Sequence, residues 1–106
     1  MTFRELDKII IATGRKGDAQ LLLSLLLDSF DNGVECVDID TVMAETGLKN
    51  PNVSAVTNKL KDLGALTILY KDMRSEDGLF SEVRNGRWSK AYYKLPQAIL
   101  QLYRRG

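Results

Sequence analysis

A chain of 106 residues, 44% of them hydrophobic, can build one small core, so a single domain spanning residues 1–106 is expected. One cysteine and no histidine exclude an intrachain disulfide framework and a clustered Cys/His metal site, and they leave general base work to a carboxylate, a lysine or one thiol. The net charge of +1 hides an asymmetry: residues 1–47 hold four Lys/Arg against nine Asp/Glu, and residues 48–106 hold eleven against five.

Thr2-Phe3-Arg4-Glu5 has the spacing of a capping box and opens a first helix running to about Ala12. Thr13 to Gly17 reads as a turn. Asp18 is placed to cap a second helix that runs to about Phe30 and stops at Asp31-Asn32-Gly33. Within it, Leu21 to Leu27 is apolar all round but far too short to cross a bilayer, so it reads as a central buried helix. No stretch reads as a signal peptide or a membrane span, which makes the cytoplasm the expected location. Val34 to Val37 reads as a short strand that buries Cys36, and Asp38 or Asp40 caps a third helix ending near Thr46.

The most informative stretch follows, from Gly47 to Gly64. Gly47 suits a sharp turn, Leu48 anchors it, Asn50 is a candidate cap and Pro51 suits the first helical position. Val53, Val56, Leu60 and Leu63 recur at helical spacing, and Gly64 closes the helix. The other face carries Asn52, Ser54, Ala55, Asn58, Lys59 and Lys61, with no carboxylate before Asp62. A small, polar, basic face suits a DNA major groove, where amides and hydroxyls read base edges and lysines meet phosphates.

Ala65 to Lys71 alternates and reads as a strand, followed by a charged loop from Asp72 to Gly78. Asn85-Gly86 is a two-residue hairpin signal that predicts a ribbon of Leu79–Arg84 against Arg87–Leu95. Pro96 opens a final helix from Gln97 to Arg105. From Arg84 to the end there are six basic residues and no acid, a polarity that points to a polyanionic partner.

Gly47 to Gly64, flanked by Asp40–Glu45 and by Ala65–Lys71, resembles the helix-turn-helix and first wing strand of winged helix-turn-helix domains of the MarR/ArsR type. The resemblance covers residues 34–95. It implies an α+β, mostly α fold, with a β-hairpin wing and extra helices over residues 1–30 and 96–105. The segment after Lys71 is longer than the family's wing, and Asp72-Met73-Arg74 only loosely echoes its acidic–arginine pattern. The resemblance further implies sequence-specific binding of double-stranded DNA by a homodimer. Asn52, Ser54, Ala55 and Asn58 would face bases, and Asn50 belongs to the same set. Lys49, Thr57, Lys59 and Lys61 would meet phosphates or the groove edge, and Arg74, Arg84 and Arg87 would contact the backbone or minor groove from the wing. Phe3, Leu6, Ile10, Ile99, Leu102 and Tyr103 offer apolar surface on the two end helices for the dimer contact.

Transcriptional repression is the expected role, and plasmid or phage partition or replication control is the alternative. A different class also fits, a protein–protein module using the acidic first half and an exposed Trp88 or Tyr92–Tyr93 pair, although packing in the core is the expectation for at least two of those three aromatics. No enzyme activity, cofactor or metal is expected.

Overall fold

The computed structural model describes residues 1–74, 79–84 and 86–104. Among them are five helices and four strands: α1 (Phe3–Ala12), α2 (Lys16–Asp31), β1 (Val37–Asp38), α3 (Ile39–Thr46), α4 (Asn50–Asp62), β2 (Thr67–Asp72), β3 (Phe80–Ser81), β4 (Ser89–Lys94) and α5 (Gln97–Tyr103). The expected α+β class holds. No described helix is long and apolar enough to cross a membrane.

Local chemistry explains most boundaries. The Thr2 hydroxyl accepts the Glu5 backbone N–H at 3.1 Å, which satisfies one of the free donors at the start of α1. At the end of α1 the Thr13 hydroxyl donates to the Ile10 carbonyl at 2.6 Å and accepts the Arg15 N–H at 3.1 Å. That turn starts α2 at Lys16, ahead of the expected cap. Arg15 is the N-cap, and Asp18 lies in the first turn, where its carboxylate sits 3.5 Å from the Arg15 guanidinium. Gly64 closes α4 at a positive φ of 81°, and Ala65 N–H then reaches back to the Leu60 carbonyl at 2.8 Å, a bond that only a left-handed residue allows.

The sheet is antiparallel in the order β1-β4-β2-β3. β2 pairs along its whole length with β4, from Thr67 opposite Lys94 to Asp72 opposite Ser89. β1 adds two residues outside β4, with Val37 opposite Tyr93, and β3 adds two outside β2, with Lys71 opposite Phe80. This corrects the expected ribbon of Leu79–Arg84 against Arg87–Leu95: β3 and β4 lie on opposite edges of β2 and do not pair with each other. A six-residue ladder between β2 and β4 outweighs a local two-residue turn signal, because each added pair contributes cross-strand packing. Asn85 lies outside the described residues, as do Ser75 to Gly78 and Arg105.

The core joins one face of the sheet to all five helices. It includes Leu22, Leu23 and Leu26 of α2, Val42 of α3, Val53, Val56 and Leu60 of α4, Ile68 and Tyr93 of the sheet, and Ile99 of α5. The leucine run is central as expected, but Leu21 is half exposed. The strand expected from Val34 begins only at Val37, and Val34 itself is exposed.

Four residues expected at a dimer contact belong to this same core. Leu6, Ile10, Ile99 and Leu102 are each less than 7% exposed within one chain. The physical reason is that α1 and α5 are short and must use their best apolar positions to cover α2 and the sheet. Phe3 and Tyr103 remain outside, 53% and 45% exposed, with their rings edge to face at 5.4 Å.

Candidate nucleic-acid interface

α4 is held by its apolar side and presents the rest. Its start has Lys49 as N-cap and Asn50 as the first helical residue, with Pro51 next. Asn50 therefore lies one position inside the role expected of it. Val53, Val56, Thr57 and Leu60 are buried, and residues advance about 100° around a helix at each step. The opposite side then centres on Pro51, Ala55 and Asn58. Asn50, Ser54 and Lys61 form one flank, and Asn52 and Lys59 form the other.

Thr57 is the correction in this set. It is 1% exposed, and its hydroxyl donates to the Val53 carbonyl at 2.7 Å. The group sits against the Tyr93 phenol, whose pKa is raised, mainly by burial and against the opposing effect of the Thr57 hydrogen bond. A threonine on the apolar side of a helix satisfies its hydroxyl within the preceding turn, so it needs neither solvent nor a phosphate. The remaining predicted α4 residues keep access to solvent: Lys49, Asn50, Asn58, Lys59 and Lys61 are exposed, and Asn52, Ser54 and Ala55 are half-buried.

Along the first flank runs an open cleft of about 490 Å³. Asn50, Ser54 and Asn58 line its α4 wall, and Arg84, Arg87 and Trp88 line the facing wall. The Ser54 hydroxyl donates to the Asn50 side-chain oxygen at 3.3 Å, which ties the two polar groups of this flank together. The structure thus brings two of the three predicted wing arginines opposite the polar flank of α4. Arg74, the third, packs its guanidinium over the Trp88 ring at 5.1 Å, and Arg87 packs on the same ring at 5.7 Å. An exposed indole that both guanidinium groups approach keeps the two cations near one another, because the ring's negative face offsets part of their repulsion.

Of the three aromatics, only Tyr93 joins the core, which corrects the expectation that at least two would. Tyr93 is buried, Tyr92 is half-buried with its ring edge to face with Phe80 at 5.1 Å, and Trp88 is exposed.

Lys90, which adds to the basic tail of the sequence, has no free charge to offer. Its ammonium lies 3.0 Å from an Asp38 carboxylate oxygen and 2.7 Å from one of Asp40. The bonds to Asp40 and then Asp38 hold its pKa well above the ordinary lysine value. Burial pushes the Asp38 carboxyl up, but the Thr41 hydroxyl, which donates to it at 2.5 Å, and the Lys90 ammonium more than offset that and hold it below the usual carboxylate value. This clamp fixes β4 to the β1–α3 junction at the edge of the cleft. Cys36 precedes β1 and is half-buried, which corrects its expected burial in a strand; burial raises its pKa, with Lys94 opposing and Glu35 adding.

The second flank carries a residue that sequence reasoning missed. Arg15, from the α1–α2 turn, donates through Nη1 to the Asn52 side-chain oxygen at 3.3 Å. Lys16 beside it is exposed. The available signal was that Arg15-Lys16 is the one adjacent basic pair in residues 1–47. The chain matches no protein-family model, no curated protein and no solved structure.

Proposed function

We propose that the protein binds double-stranded DNA, with α4 entering the major groove and the segment around Arg84 and Arg87 meeting the backbone or the adjacent minor groove. The observation that carries this reading is the arrangement of α4. Its outward side is free of acid until Asp62, and it lies between arginines contributed by two separate parts of the chain, Arg84 and Arg87 on one flank and Arg15 on the other. A helix of 13 residues is about 20 Å long and fits a groove about 12 Å wide. Amides and a hydroxyl on that side supply donors and acceptors for base edges, the exposed lysines of α4 with Arg84 and Arg87 fix register on phosphates, and Arg15 holds the second flank through Asn52. The element order, with β1 outside β4 and β4 beside β2, agrees with a winged helix-turn-helix, so the family resemblance and the geometry support the same reading.

Within this reading the unit acts as a homodimer that represses transcription by occupying its site; coating repeated sites in partition or replication control uses the same contacts. Phe3 and Tyr103 are the exposed aromatics on the end helices that remain for a two-fold contact.

A protein–protein role is favoured by one observation, the exposed apolar side chains of Met73, Phe80, Val83 and Trp88 around the sheet's outer end. Binding to randomised and genomic duplex fragments under a salt titration separates the two. A DNA reader loses affinity as a steep power of salt and enriches a sequence. Weak binding that is indifferent to sequence and has a shallow salt slope would leave the protein–protein role standing.

A further inference from the structure

The contact between Arg15 and Asn52 has a consequence for which base is read, given that α4 reads DNA. Arg15 is anchored before its side chain does anything. Gly14 takes a φ of 69°, and the Arg15 backbone N–H is held by the Thr13 hydroxyl at 3.1 Å. Asp18 then braces the guanidinium at 3.5 Å, and Nη1 reaches Asn52 on α4 at 3.3 Å, 37 residues away in sequence. A guanidinium carries five N–H donors and no acceptor. The Asn52 amide can meet it only through its oxygen, so the chemistry of the pair decides the orientation of the amide. The NH₂ group is left as the part of Asn52 that a base can meet.

An unconstrained asparagine reads adenine by accepting from N6 and donating to N7 at once. Arg15 takes one of the two lone pairs of the Asn52 oxygen and tethers that oxygen to the α1–α2 turn, so accepting from N6 while donating to N7 competes with the contact. The Asn52 NH₂ matches a base edge that offers acceptors, and guanine alone offers two neighbouring ones in the major groove, O6 and N7. Adenine sets its own N6 donor against the amide donor, which costs a desolvated group without a partner. We propose that Arg15 is a positioning residue that makes Asn52 a donor-only reader, so that the protein selects guanine over adenine at the base pair facing the start of α4. Arg15 itself need not touch DNA.

Binding-site selection from randomised duplexes tests this, using the full chain and its Arg15→Ala, Arg15→Lys and Asn52→Ala variants, each checked for an unchanged melting transition. The parent is expected to enrich guanine at one position, and Asn52→Ala should level the preference at that position alone. Arg15→Ala frees the amide to turn and should move the same position from guanine toward adenine, a change on the order of tenfold in the ratio of the two bases. Arg15→Lys remains a donor-only side chain and should keep guanine. A general loss of affinity in Arg15→Ala with an unchanged base ratio would reduce Arg15 to a phosphate contact and overturn the proposal. So would an adenine preference in the parent at the position that Asn52→Ala levels, or an Arg15→Lys profile that follows Arg15→Ala. No enrichment by the parent, with binding insensitive to salt, would instead remove the DNA-binding reading on which this rests.

Discussion

Replacing Lys90 with methionine separates a charge that holds the fold from charges that meet a ligand. Methionine keeps most of the length and fits a strand, so the change removes the ammonium and little else. The Asp40 contact is at the surface, where that carboxylate is 65% exposed, and a pair of this kind contributes about 0.2–1 kcal/mol. The Asp38 contact is better shielded, with side chains 25% and 21% exposed, and a hydrogen bond to a charged group there contributes about 1.5 kcal/mol. Removing Lys90 also leaves Asp38 and Asp40 repelling each other across the vacated position. The expected loss is about 2 kcal/mol at neutral pH, roughly 8–10 °C in melting temperature for a domain of this size. The pH dependence has a definite sign. The folded Asp38 carboxyl lies below its unfolded value of about 3.9, so its contribution is present above that pH and is lost as pH falls through the folded value. The folded Lys90 ammonium lies above its unfolded value of about 10.4, so its contribution is complete below that pH and fades only as pH rises through the higher folded value. Urea titrations of parent and variant from pH 2.5 to 8 should show a gap that is constant from about pH 5 to 8 and closes toward the acid end. The salt slope of DNA binding should not change, because Lys90 is already neutralised. A variant as stable as the parent at pH 7, or a salt slope shallower by about one unit, would refute the clamp.

Asn58→Ala is expected to cost about 1–3 kcal/mol in discrimination between a selected site and random duplex, while Lys59→Ala weakens both alike and flattens the salt slope by about one; fluorescence anisotropy at several salt concentrations reads both. Thr57→Val should lower stability by about 1 kcal/mol, measured by urea unfolding, and leave DNA affinity unchanged, since its hydroxyl bonds within α4. Exchanging both Arg84 and Arg87 for alanine should weaken DNA binding at low salt and shift the melting temperature little, because both are exposed. If the end helices form the dimer contact, Phe3→Ala with Tyr103→Ala should move sedimentation toward the monomer without unfolding the chain, whereas Leu6→Ala should cost about 2–5 kcal/mol of folding stability itself.

What the sequence makes legible is local and periodic. The capping threonine at Thr2, the left-handed glycines at Gly47 and Gly64, and the aliphatic repeat of α4 are each set by neighbours within one or two turns, and each appears where the pattern places it. The failures come from competition over distance. The ribbon expected of Leu79–Arg84 against Arg87–Leu95 loses to a β2–β4 ladder whose partners are about twenty residues apart. Leu6, Ile10, Ile99 and Leu102 look like surplus apolar surface only until α2 and the sheet supply the core that they cover. Thr57 shares the composition of the polar side of α4 but sits in line with Val53 and Leu60, and helical phase alone could have assigned it to the core.

The same lesson governs charge, and it reaches the candidate site. Divided by sequence, the first half is acidic and the second basic. Divided by geometry, the acidic half sends Arg15 to the flank of α4, and two of its carboxylates cross to the sheet to neutralise Lys90. Asp18 belongs to the same exchange, since it braces Arg15. Asp18 and Asp38 are engaged by these cations, and Asp40, which is exposed and lines the cleft beside Asn50 and Ser54, is offset by Lys90. Asp18 and Asp38 act one layer behind α4, on cations that hold β4 and one amide of α4 in place. A face that reads base edges needs this second layer, because a long side chain free to rotate would discriminate poorly even with the right donors. On this view the cations that meet phosphate directly are the exposed Lys49, Lys59 and Lys61 together with Arg84 and Arg87, and Arg15 and Lys90 are the ones that keep α4 and β4 aimed.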